Sequence, residues 1–184
     1  MSLNDSIFET NRLRLRPLLP KDLNAMYAYR SDPDVCRFQG FDPQTCEEVD
    51  TFILSQAAAR LDGIEGWRQL GIEERKSGLL VGDCGIWFDA ACKQAEFGIT
   101  IAPTFQGNGF AVEILNALFN FVFTELKVHR IKASVDPRNR PSMHLMNRLG
   151  MRQEAHHRES LWFKNEWVDD VIFAMLAHEW SGKK

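Results

Sequence analysis

Between Phe105 and Glu113 the chain reads FQGNGFAVE, two closely spaced glycines heading a long apolar run. Ala111, Ile114, Leu115, Leu118, Val122 and Leu126 recur at helical spacing, so the run is expected to be a helix buried along one side. A glycine turn there aims backbone amides at the positive end of the helix dipole, which is the construction of an anion site. Glycine also leaves the amides open to close approach. A dinucleotide fingerprint needs a third glycine or alanine where Val112 stands, and it follows the first strand, whereas about four strands precede this turn. A P-loop needs Gly-Lys-Ser/Thr, which is absent. A different phosphate, or a turn whose glycines serve only the backbone, remain from this segment. Glu113 at the helix start favours the dipole and is read as structural.

Upstream, residues 12–18 alternate charged and apolar, the pattern of a half-buried strand ended by Pro17 and Pro20. Helices are expected over 21–30, closed by Asp32-Pro33, and over 46–61. Three successive strands follow at 67–73, 78–88 and 94–101. In the last, Phe97, Ile99 and Ile101 share one face while Glu96, Gly98 and Thr100 share the other. Downstream come a strand at 130–135, a helix with Asn139 as N-cap, Pro141 in its first turn and Gly150 as its C-terminal glycine, and a hairpin of 152–163 and 167–177 across Lys164-Asn165-Glu166. The expected fold class is α/β (α+β), with about seven mostly antiparallel strands and about four helices in a single domain over 1–184.

A formal net charge of −3 and a pI near 6.0 give no general attraction to nucleic acid or an anionic membrane, so neither is an expected partner. Cys36, Cys46, Cys84 and Cys92 lack zinc spacing and read as free, mostly buried thiols; no metal is expected. No apolar run approaches the roughly 20 residues that span a bilayer, and nothing resembles a signal peptide, so the expected location is the cytoplasm.

Gln106-Gly107-Asn108-Gly109-Phe110-Ala111 resembles the Gln/Arg-x-x-Gly-x-Gly/Ala motif of the GCN5-related N-acetyltransferases (GNAT). Asn139-Arg140-Pro141-Ser142 and Leu149-Gly150-Met151 resemble that family's Asn-x-x-Ser and Leu-Gly-Phe, over a similarity spanning roughly residues 10 to 180. Thr10 to Leu18 and Trp167-Val168-Asp169 look like the ribosomal-protein N-terminal acetyltransferase (RimJ/RimL-like) branch. Met151 stands for the usual Phe, Phe173 for a common Tyr, and Asn147-Arg148 for Glu-Lys.

The resemblance implies a sheet splayed between its fourth and fifth strands. It implies acetyl coenzyme A as co-substrate, its pantetheine arm along Ile99, Thr100 and Ile101 and its pyrophosphate on Gln106, Gly107, Asn108, Gly109, Phe110 and Ala111. Asn139 would bond the arm and Arg148 would meet a coenzyme phosphate. Glu96 is the candidate base and Ser142 the candidate proton donor to the departing thiolate. The implied acceptor is the α-amine of a protein or peptide; alternatives are a small amine (polyamine, aminoglycoside or amino acid) or a non-catalytic module binding coenzyme A or a peptide, as monomer or homodimer.

The acceptor groove is expected from the first two helices and the last hairpin. Phe38, Phe41, Trp67, Trp87 and Trp162 are candidates to line it, and Glu47, Glu48, Asp50 and Glu73 candidates for an acidic pocket. His156 and His157, adjacent on a strand, face opposite ways and are not expected to share an ion.

Overall fold

The structure is a computed structural model that describes residues 7–182, so the ends of the expected 1–184 domain lie outside the described residues. Its centre is one eight-stranded sheet in the order β1-β2-β3-β4-β5-β6-β8-β7. The strands are β1 (Phe8–Glu9), β2 (Leu13–Pro17), β3 (Gly66–Glu74), β4 (Leu80–Phe88), β5 (Gln94–Ile101), β6 (Arg130–Val135), β7 (Arg152–Phe163) and β8 (Glu166–Leu176). The helices are α1 (Leu23–Arg30), α2 (Pro33–Cys36), α3 (Cys46–Gln56), α4 (Phe110–Thr124) and α5 (Arg140–Leu149).

Every neighbouring pair is antiparallel except β5 with β6. That parallel ladder holds only Gln94 to Glu96 against Arg130 to Lys132, while β6 continues along β8 to Val135. From Phe97 onward the two strands diverge, which is the expected splay.

β4 is buried on both faces along almost its whole length, because helices cover the sheet on each side. On one face α4 packs Ile114, Leu118, Phe119 and Val122 into the main core, with Met146 and Leu149 of α5 beside them. On the other, Met26 and Tyr29 of α1 meet Val49 and Ile53 of α3.

Three features differ from expectation. A two-residue strand, β1, adds itself to β2 through Phe8↔Leu15 and Glu9↔Arg14. Asp32-Pro33 closes α1 but also opens α2, with Asp32 accepting from the Asp34 amide at 2.9 Å and Pro33 in the first position. The second long helix stops at Gln56 rather than Leu61, although its start carries a Thr45/Glu48 capping box. The hairpin turns on Lys164 and Asn165, whose φ values of 49° and 66° make a two-residue primed turn.

Arg16 ties the N-terminal strand to the α1 layer. Its guanidinium grips Asp22 at 2.6 and 2.7 Å and Glu73 at 2.8 Å, and Lys21 adds 2.9 Å to Glu73. Burial opposes charge on Glu73, but hydrogen bonds from Lys21 and Arg16 outweigh it and hold the carboxyl below its ordinary value. A carboxyl depressed in the folded state stabilises above its unfolded value of about 4.3, and that stability is lost as pH falls. Glu73→Gln should therefore destabilise near pH 7 by about 3 kcal/mol and weaken the dependence of stability on pH below about 4.3, as read by denaturant melts across pH.

Candidate functional site

The glycine turn enters α4 through two left-handed residues, Gly107 (φ 78°) and Gly109 (φ 76°). A Cβ at Gly107 would meet no heavy atom within 4 Å, so glycine there serves the φ value and keeps the cradle open rather than relieving a clash. The first backbone bond of α4 runs from the Glu113 amide to the Gly109 carbonyl at 3.1 Å, so the amides of Gly109 to Val112 precede the helical ladder. Asn108 Nδ2 donates to the carbonyls of Phe105 (3.1 Å) and Gln106 (3.2 Å), and Gln106 Nε2 donates to the Ile101 carbonyl at 2.9 Å. Side chains thus occupy turn carbonyls, which makes the amide-rich side the candidate anion-binding face.

Glu113 does anchor the turn. It accepts from Thr10 Oγ1 (2.5 Å), the Arg12 amide (3.0 Å) and Arg12 Nε (2.6 Å), while Arg12 Nη1 donates to the Asn108 carbonyl at 3.0 Å. Burial opposes its charge, yet these bonds keep its carboxyl below the ordinary value. Arg12 also lies 4.7 Å from the Phe110 ring centroid, so the entry to β2 holds the cradle from outside.

A cavity of about 500 Å³ runs along this turn. Its walls include Ile99, Thr100 and Ile101 from the diverging part of β5, Gly107 to Ala111 from the cradle except Asn108, and Asn139, Ser142 and Arg148 from α5. Asn139 caps α5, its side chain accepting from the Ser142 amide at 3.2 Å. His144, which sequence reasoning passed over, lines the cavity four residues before Arg148 on α5.

A second cavity of about 560 Å³ shares Phe38, Gln39, Ile99 and Thr100 with the first. Glu96 lines it, with Lys132 3.0 Å away across the last β5–β6 rung. Phe38, Phe41 and Trp67 line it too; Trp162 instead packs edge-on against Trp167 at 5.4 Å between centroids. Its carboxylates are Asp83, Glu96, Asp136, Asp169 and Asp170, rather than the group at Glu47, Glu48, Asp50 and Glu73. Glu73 is committed to Arg16, and Glu48 caps α3. His156 bonds Asp169 at 2.7 Å instead of reaching the cavity itself.

The deep end is a polar network that sequence reasoning missed. Asp83, 1% exposed, accepts from the Tyr29 hydroxyl at 2.5 Å, from Arg30 at 3.3 Å and from Gln69 Nε2. Arg30 is held between Phe41 and Phe52, with centroids at 4.3 and 4.2 Å. Burial, and then the Asp83 charge, push the Tyr29 phenol well above its ordinary value, so it remains a donor. The available signal was one acidic residue inside the apolar run LVGDCGIWF, since a buried carboxylate demands partners.

Two cavities meeting at one strand segment, one walled by backbone amides at a helix start, suit transfer between an anionic donor and a second substrate. The "Acetyltransferase (GNAT) domain" matches residues 12–152. The chain is 30% identical over 172 residues to the uncharacterized N-acetyltransferase YnaD of Bacillus subtilis (strain 168), covering 94% of this chain and 98% of that protein. It is 31% identical over 84 residues to the alanine N-acetyltransferase of ribosomal protein uS5 from Escherichia coli (strain K12), covering 46% and 43%. The fold is shared with the spermidine N-acetyltransferase of Vibrio cholerae solved with CoA and spermine, at a TM-score of 0.77 and 23% identity over 93% of this chain and 99% of that one. With most of its length matched by the domain and nearly all of it by a full-length relative, the chain belongs to the GNAT N-acetyltransferases.

Proposed function

We propose that the protein transfers the acetyl group of acetyl coenzyme A directly to a primary amine, and that the acceptor is the N-terminal α-amine of a protein or peptide. The carrying observation is the contact of the two cavities at Ile99 and Thr100, which supports a donor in one and an acceptor in the other without a covalent enzyme intermediate. The cradle of residues 106–111 would take the pyrophosphate, the diverging edge at Ile99 to Ile101 would pair with the pantetheine arm as an added strand, Asn139 would bond that arm, and Arg148 would meet a coenzyme phosphate.

In the reaction the amine nitrogen bonds to the thioester carbonyl carbon, the C–S bond breaks, Glu96 takes the amine proton directly or through water, and the Ser142 hydroxyl protonates the leaving thiolate. The attacking amine must be neutral. An α-amine, pKa about 8, is neutral in roughly one molecule in ten at pH 7, against roughly one in 2,500 for a lysine at about 10.4. A carboxylate is a modest base, which fits the α-amine better.

The five carboxylates of the second cavity favour a polyamine as the rival acceptor. Their charge is largely answered nearby: Asp83 by Arg30, Glu96 by Lys132, Asp136 by Arg138 at 2.6 Å, and Asp169 by His156 when that ring is protonated. Asp170 accepts from the neutral Ser134 hydroxyl at 2.6 Å. A site built to hold several ammonium groups would keep more of its carboxylates uncommitted.

Thiol release from acetyl coenzyme A, measured against peptides with varied first residues and against polyamines, aminoglycosides and amino acids, should show the highest kcat/KM for peptides. A higher value for a polyamine transfers the assignment to the rival. No release with any amine, alongside tight coenzyme binding, replaces it with a binding module.

Gly109→Glu should abolish coenzyme A binding in calorimetry, because it puts a side chain at φ 76° and a negative charge on the cradle. Binding unchanged from wild type would remove the cradle assignment.

Glu96→Gln and Ser142→Ala should each lower kcat by about 10²-fold or more, with coenzyme affinity retained and altered pH profiles. Wild-type turnover and pH dependence in either variant would strike that residue from the mechanism.

A further inference from the structure

Gly98 is exposed although it lies on β5, the fifth of eight strands in the sheet order. Glycine inside a strand costs backbone entropy and gives up packing, so it usually has a local cause. Two common causes are absent here. Gly98 is not among the glycines with left-handed φ, and a Cβ built on it would meet no heavy atom within 4 Å. Its surroundings behave differently: a Cβ on Gly82 would lie 2.2 Å from the Thr100 carbonyl oxygen, and one on Gly85, the cross-strand partner of Gly98, would lie 2.6 Å from Gln69 Oε1. A backbone clash dictates Gly82, and a side chain at Gly85 would have to displace Gln69, but nothing opposes one at Gly98.

The space above Gly98 is the second cavity, which it lines between Glu96 and Thr100. Alternation along β5 puts these three residues on one face. Glu96 is the candidate base, and Ile99-Thr100 is the segment where the two cavities meet. If the acetyl group lies at Ile99-Thr100, an amine entering from the second cavity would pass over the Gly98 backbone, and the carbon bearing that amine would come near it.

We propose that Gly98 is a specificity-determining residue, its missing side chain giving room for a substituent on the carbon next to the reacting nitrogen. This deepens the α-amine reading and rests on it. The α-amine of a peptide that does not begin with glycine sits on a carbon carrying both a side chain and a carbonyl, whereas the terminal amine of a straight alkyl chain sits on a CH₂. The first needs the clearance that Gly98 leaves.

The test uses Gly98→Ala and Gly98→Val in the full chain, with thermal melts, coenzyme A calorimetry and steady-state kinetics on a peptide and on a straight-chain amine that the wild type accepts. Melting temperature should hold or rise, since β-branched valine suits a strand. Coenzyme A affinity should stay within about twofold of wild type. The KM for the peptide should rise about tenfold or more in Gly98→Val, with a smaller rise in Gly98→Ala and a smaller one again for the straight-chain amine.

Peptide KM within about twofold of wild type in both variants would overturn the inference and leave the acetyltransferase assignment intact. So would a loss that is equal for both acceptors or that follows a fall in coenzyme affinity. A wild-type enzyme that turns over straight-chain amines but no peptide overturns the α-amine reading and this inference with it.

Discussion

The ladder between β5 and β6 lasts three residues, and its early end organises both cavities. Had β6 stayed in register beside β5, the backbone groups beyond Phe97 would face a neighbouring strand. Instead β6 spends its second half on β8 alone, and β5 carries an open edge through Ile99 to Ile101. An open edge is a hazard on the rim of a sheet, where it invites a second chain. Inside a V closed by the α4 turn and the start of α5, the same edge is shielded from other chains and accessible to a narrow ligand. Because a strand has two faces, Ile99 and Thr100 can wall two cavities at once.

Two sets of ion pairs hold this arrangement, and they act differently. The Arg12–Glu113 pair is half exposed on the arginine side, and such pairs contribute within about 1 kcal/mol. Its consequence is positional: it joins the first turn of α4, the Asn108 carbonyl and the entry to β2, which biases the glycine turn toward this placement. The Arg16 cluster is buried, with side-chain exposures of 5% for Arg16, 2% for Asp22 and 5% for Glu73. Removing one member there strands a charge out of water, so the cluster fixes where α1 sits. Through Tyr29 and Arg30 of α1, that position sets the deep wall of the second cavity.

Much of the fold could be read along the chain because its determinants are local. The period-two alternation of β2, the Asn139 cap with Pro141, the Gly150 stop and the glycine turn each lie within a few residues. Boundaries moved where tertiary contacts overrode pattern: β1 is a two-residue strand that exists through pairing with β2, and α3 stops short of a stretch that remained compatible with helix. The proposed cradle was legible for the same reason as the turns, since its consecutive amides take their direction from positive φ values at Gly107 and Gly109 that only glycine adopts comfortably. Asp83 was not singled out, because its meaning depends on Tyr29, Arg30 and Gln69, 54, 53 and 14 residues away.

On the proposed assignment, that contrast bears on how acceptor choice would be encoded. On that assignment the donor would present a fixed group, which backbone amides can grip with little demand on side-chain identity. The second cavity draws its walls from α1 through β8, and nearly every wall position is a side chain that a single substitution can change without touching the cradle or the open edge. Its floor carries a glycine that neither torsion nor packing requires, and its deep wall carries a carboxylate already engaged by three donors. If this cavity takes the acceptor, shape would have more scope than free charge to discriminate: the hydrogen-bonded Asp83 network resists rearrangement, while the open backbone at Gly98 leaves clearance that an added methyl group would remove.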